Sequence, residues 1–141
     1  MNKAFLFLLC GLLPSYAVAF NPSPFIDNLV SCKGEDYTQC IDNSGSEAEV
    51  SIRKVDLNKD DVDEIIIEIH GSSVEFGMAG GYVQVLKRVS RYHYRIINSL
   101  AAYSCNVLDK KTNGYFDLNF SGPGLNAPYE WYWNGATYAA R

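Results

Sequence analysis

Histidine is scarce in this chain: His70 and His93 are the only two. Two isolated histidines offer no zinc-ligand spacing. Neither lies in a nucleophile elbow, an HExxH helix or the setting of a papain-like cysteine. Both are expected to be solvent-facing strand residues. A Cys-x-x-Cys pair is also lacking, which removes a dithiol redox enzyme and a zinc ribbon. Basic clusters are missing too. Lys and Arg total 12 against 16 Asp and Glu, a formal charge of −4, so the chain is a poor nucleic-acid binder. No internal repeat is visible. A glycosidase would need two opposed carboxylates. Glu64, Glu68 and Glu75 are available, but the densest acidic cluster is better explained by a turn. Together these absences point away from an enzyme.

Long apolar runs are lacking except at the start. Ala4 to Leu13 follows Lys3, ends at Pro14 and precedes Ala17-Val18-Ala19. It is too short to span a bilayer as a mature helix. The pattern is that of a secretory signal peptide cleaved before Phe20. Leu9 stands before Cys10 where a lipidation signal wants a small residue, which argues against a lipid anchor. Residues 1–19 are therefore expected to be a signal and residues 20–141 a single β-rich domain, exported to the periplasm, with no membrane anchor. Loss of Lys3 makes the mature chain one charge more acidic, which suits a basic partner.

Cys32, Cys40 and Cys105 remain after the signal. An oxidising compartment favours a disulfide. Cys32–Cys40 is the expected pair because it closes the short loop KGEDYTQ, leaving Cys105 free and buried; the alternatives pair Cys105 with either partner. Asn21 to Cys32 reads as a helix, with Ser23 as cap, Pro24 in the first turn and an apolar stripe of Phe25, Ile26, Leu29 and Val30. From Ala48 on the signals are β. Strands are expected at 49–55, 64–70, 82–89, 91–99, 115–121, 129–133 and 137–140. Residues 101–107 either continue the sheet or form a link. DKKTNG (109–114) and Asn134-Gly135 are turn signals. The fold class is α+β, mostly β: one antiparallel meander sheet of about six or seven strands with one short N-terminal helix.

The stretch VDLNKDDVDEIIIEIH (55–70) stands out. Asp56, Asn58 and Asp60 alternate, and Glu64 follows. A hard cation such as calcium takes about six to eight oxygens at roughly 2.3–2.6 Å. Asp56, Asn58, Asp60, the Val62 carbonyl and Glu64 can supply most of them. The alternative is a hairpin turn whose Asp and Asn side chains satisfy local backbone N–H groups. Ile65, Ile67 and Ile69 share one strand face, which is expected to be core; Ile66, Glu68 and His70 share the other.

DLNKDDVDEIII resembles the D-x-N-x-D-G-x-x-E loop of FG-GAP and VCBS-type β-repeat proteins over about a dozen residues. The resemblance implies a loop between antiparallel strands that holds calcium through Asp56, Asn58, Asp60 and Glu64. Lys59 and Asp61 depart from it, standing where those families favour Gly. It implies a calcium-stabilised structural or adhesion module. One chain has room for one or two such units and cannot close a propeller, so a homodimer covering an exposed edge is a further expectation.

Aromatic residues are plentiful. Tyr129, Trp131 and Trp133 alternate onto one face, while Tyr132 faces away with Glu130. A two-sided aromatic strand leaves rings such as Tyr132 for a partner. The loop GSSVEFGMAGG (71–81) is expected to project Glu75, Phe76 and Met78 towards a protein partner. The alternative folds it back and buries Phe76 and Met78. In size, compartment and architecture the chain resembles bacterial lysozyme inhibitors and the immunity proteins that neutralise cell-wall-degrading toxins. That resemblance implies inhibition of a cell-wall hydrolase, as one half of a toxin–antitoxin pair.

Overall fold

The computed structural model describes residues 19–123 and 129–141. The expected signal segment lies outside the described residues, apart from Ala19. After a helix α1 (Ser23–Ile26), the strands run β1 (Val30–Lys33), β2 (Gln39–Asp42), β3 (Glu47–Val55), β4 (Glu64–Gly71), β5 (Gly81–Ser90), β6 (His93–Leu100), β7 (Ser104–Thr112), β8 (Tyr115–Ser121), β9 (Tyr129–Trp133) and β10 (Tyr138–Ala140). β1 to β6 form one antiparallel meander in chain order, and β7 to β10 form another. The expected single sheet is thus two sheets, with the chain passing between them at residues 101–103.

The helix is a single turn, shorter than the expected 21–32. Pro22 occupies the cap position, with no side-chain cap bond. Ser23 lies inside the helix and donates its N–H to Asn21 Oδ1 at 3.1 Å. The chain leaves the helix after Ile26 through a turn in which Leu29 N donates to Ile26 O at 2.8 Å, and enters β1, where Cys32 pairs directly opposite Cys40 of β2. The disulfide joins these two residues, as expected, and Cys105 is free and buried. Burial pushes the Cys105 thiol up to about 12.

β4 is the central strand, and it is buried on both faces. Ile65, Ile67 and Ile69 face Ile26, Val30, Phe76 and Leu86 on the side covered by the N-terminal segment. Ile66 faces the second sheet with Val83, Val85, Leu118, Phe120 and Trp133. Each such side chain contributes roughly 1.5–3 kcal/mol by leaving water. The continuous IIIEI run follows from this double burial, since neither face can carry a solvated residue.

Polar groups on the second face close the free edge of β7. Glu68 Oε1 accepts from Cys105 N at 2.8 Å and from Arg53 Nη2 at 3.1 Å. Arg53 Nη2 also donates to Cys105 O, and His70 Nε2 donates to Tyr103 O. Side chains of β3 and β4 thus take the place of a neighbouring strand, as backbone groups at a buried edge require.

Candidate functional site

Two turns at the ends of β4 carry the expected metal ligands and, apart from Tyr132, the expected partner-binding residues. The first, between β3 and β4, holds Asp56, Asn58, Asp60 and Glu64. Its centre is pinned by Leu57, which is fully buried between the sheets, and Leu57 O accepts from Phe116 N at 2.8 Å. Asp56 accepts from Asp60 N at 3.1 Å and Asp61 N at 3.0 Å through its two oxygens. Asp60 Oδ1 accepts from Val62 N at 2.9 Å. Asn58 Nδ2 donates to Asp60 Oδ2 at 2.9 Å and to the Tyr115 hydroxyl at 3.0 Å. Glu64 is 1% exposed, and its Oε2 accepts from Leu57 N at 2.9 Å. Lys59 and Asp61, the two departures from the β-repeat pattern, have φ of 62° and 64°. These are the left-handed values that glycine takes most readily.

Charge follows from these contacts. Partial burial opposes ionisation of Asp56, but the N–H groups of Asp61, Asp60, Lys59 and Asn58 outweigh it and hold the carboxyl below its ordinary value. Burial pushes Glu64 up, and the charges of Asp60 and Asp56 add to that, against the Leu57 N–H and the Lys87 ammonium. The side chains expected as ligands do meet in one turn, where many of their oxygens serve the turn's own backbone. Among the described residues no group of three or more His, Cys, Asp or Glu is arranged to hold a metal.

The second turn, after β4, is a 3₁₀ helix, Val74–Ala79, broken at Gly77 with φ 56°. Phe76 is buried, only 5% exposed. Its ring fills the space where a side chain at Gly71 would stand: a Cβ there would lie 2.4 Å from the ring. This corrects the expectation that Phe76 projects to a partner; it is the root of the turn, because a phenyl ring here gains more from the core than from water. Glu75 is exposed, and so are Val74 at 90% and Met78 at 83%. The loop therefore takes parts of both expected forms, with Phe76 buried and Met78 outside.

The second turn is also held by a chain of hydrogen bonds that the sequence did not reveal. Asp42 Oδ1 accepts from Ser44 N at 2.8 Å, Ser44 Oγ at 2.6 Å and Ser46 N at 3.0 Å. Its other oxygen accepts from Ser73 Oγ, and Ser73 Oγ caps the turn by accepting from Glu75 N at 3.2 Å. The Ser44 and Ser73 hydroxyls, with the Ser46 and Ser44 N–H groups, hold the Asp42 carboxyl down to about 2 against a smaller cost of burial. The pattern D-x-S-x-S is an Asx-turn signal, but its link to Ser73 spans 31 residues.

Tyr132 belongs to a different cluster. It is half-buried on β9 with the Arg141 guanidinium 5.0 Å over its ring. Arg141 also pairs with Asp117 at 3.0 Å and Glu130 at 3.1 Å. The Tyr129 side chain lies outside the described residues. His93 is exposed, its Nδ1 2.9 Å from Ser90 Oγ. His70, expected to face solvent, is half-covered by the Tyr103 ring stacked on it. No protein-family model, curated protein or solved structure matches this chain.

Proposed function

We propose that this protein is an exported, non-catalytic binding protein that inhibits a cell-wall hydrolase, as a lysozyme inhibitor or the immunity partner of a peptidoglycan-degrading toxin. The observation that carries the reading is the turn after β4. Val74 and Met78 stand in water on a short turn braced below by Phe76 and at its start by Ser73 and Asp42. Flexible apolar side chains on a loose loop mean little; on a braced turn their presentation costs little entropy when a partner covers them. Glu75 between them gives the patch a charge suited to a basic enzyme. The Cys32–Cys40 disulfide fits an oxidising compartment. No helix among the described residues is long and apolar enough to cross a membrane.

The test is capture of a periplasmic cell-wall hydrolase by the tagged protein, with affinity measured by calorimetry. Val74→Ser/Met78→Ser and Glu75→Ala should each weaken binding at least tenfold. Normal affinity in both variants would remove the turn from the interface, and failure to capture any hydrolase would end the inhibitor reading.

A second reading is a calcium-stabilised structural module. It is favoured by the left-handed Lys59 and Asp61 at the glycine positions of the β-repeat loop, which bring Asp56, Asn58, Asp60 and Glu64 into one turn. These residues and the Val62 carbonyl would hold the ion. A homodimer would cover an open sheet edge in that reading.

A further inference from the structure

We propose that the groove beside the Val74–Ala79 turn is an acidic receptor for an arginine-bearing segment of the protein partner; this rests on the reading of that turn as a docking element. The groove encloses about 1130 Å³, and Gly71, Ser72 and Gly80, which root the turn, form part of its lining. A partner seated on Val74 and Met78 therefore borders the groove as well.

Its charge selects a cation. Glu47 and Glu49 lie two residues apart on β3 and share a sheet face, and Glu49 sits directly opposite His70. Both carboxylates are exposed, and both line the groove. Neither enters an ion pair among the described residues. Lys33 is the opposing charge in the lining. Arg53, further along the same face, is held by Glu68 at 3.1 Å.

The groove's aromatic wall selects arginine over lysine. Tyr103 is 44% exposed and lines the groove. Its ring stacks on His70 with centroids 4.1 Å apart and 6° between planes. The His70 ring is itself fixed by its bond to Tyr103 O. The tyrosine is thus a flat surface braced on one side by His70, and it lines the same groove as two free carboxylates. A guanidinium can stack on such a ring and still offer a planar fork to a carboxylate, which an ammonium cannot do. Ile41, 48% exposed in the same lining, suits the aliphatic stem.

The experiment titrates the folded protein with a blocked tetra-arginine peptide, using tetra-lysine as comparison, and follows binding by NMR and calorimetry at low salt. Tetra-arginine should bind more tightly than tetra-lysine and weaken as salt rises. Glu47→Gln/Glu49→Gln and Tyr103→Leu should each lower its affinity at least tenfold, with melting curves confirming that both variants fold. Val74→Ser/Met78→Ser should bind the peptide as wild type does. Absence of wild-type binding, equal affinity for the two peptides, or an unchanged Glu47→Gln/Glu49→Gln variant would each overturn the proposal. Peptide binding through Glu47 and Glu49 without any captured hydrolase would leave the groove standing and remove the hydrolase. A hydrolase captured equally well by Glu47→Gln/Glu49→Gln would do the reverse.

Discussion

The turns at the two ends of β4 are built on one plan with opposite outcomes. Each is rooted by a single apolar side chain: Leu57 enters the core between the sheets, and Phe76 enters the core beneath the N-terminal segment. Each also has carboxylate or hydroxyl oxygens accepting from its backbone. In the turn before β4 the acidic side chains point back at the loop's own N–H groups. In the turn after β4, Val74 and Met78 point away from everything the chain offers them. A cluster of Asp and Asn can therefore be accounted for by turn closure. Apolar side chains that a braced turn holds in water have no such internal account, and the proposed partner interface is placed at that end of β4 for this reason.

The largest effect expected from this comparison lies at the two roots. Phe76→Ala should cost about 3–5 kcal/mol and Leu57→Ala about 2–5 kcal/mol, since each empties a well-packed site. Urea or thermal unfolding reads both. A Phe76→Ala protein that melts with the wild type would mean that the second turn is not rooted, and the contrast between braced and loose presentation would collapse.

Much of the scaffold around these turns was legible. The strands flanking the acidic turn, β8 and β9, and the Asn113 and Asn134 turns follow from alternation and turn chemistry. The Cys32–Cys40 pair follows from spacing. What was hidden has physical causes. β1 and β2 are four residues each; Val30 of β1 continues the helical spacing of Phe25, Ile26 and Leu29, and β2 carries only the adjacent Cys40 and Ile41, too few to show alternation. β7 runs to Thr112 through a charged stretch that reads as a turn, because a register shift lies between Val107 and Lys111. Lys110 finds Glu130 at 2.6 Å and Asp117 at 3.6 Å on other elements. The division into two sheets depends on Glu68, Arg53 and His70 closing the edge of β7, a contact between distant segments. Phe76 could not be assigned from sequence, since its burial depends on the empty space at Gly71.

A smaller effect should appear in acid. Asp42 has a folded value of about 2 against an ordinary 3.8, so its contribution is complete above about pH 4 and is lost as pH falls from there towards 2. Asp42→Asn should be less stable than wild type at pH 7, and the gap should narrow through that window. Hydrogen exchange at the Glu75 amide should also quicken in the variant, because Ser73 loses its charged anchor. A gap that stays constant between pH 7 and pH 2 would separate Asp42 from the second turn and weaken the claim that the turn is braced.

Without calcium, the smallest effect is expected at Glu64, where it discriminates most. Burial and the neighbouring Asp60 and Asp56 raise its carboxyl above the ordinary value, so its negative charge is a cost to the fold at neutral pH. Glutamine keeps an oxygen that can accept from Leu57 N and removes the charge. In chelator, Glu64→Gln should therefore match the wild type or melt slightly higher. Calcium reverses the expectation. An ion held by Asp56, Asn58, Asp60 and Glu64 would stabilise the wild type by mass action, by about 2.7 kcal/mol at a hundredfold excess over its Kd, and the glutamine variant would lose most of that gain. Melting curves of both proteins, with calcium and with chelator, decide between a turn closed for its own sake and a turn closed around a metal. If neither protein responds to calcium, the acidic turn is a structural hinge alone. If the wild type responds and Glu64→Gln does not, the acidic turn is closed around an ion, and turn chemistry alone no longer accounts for its Asp and Asn side chains.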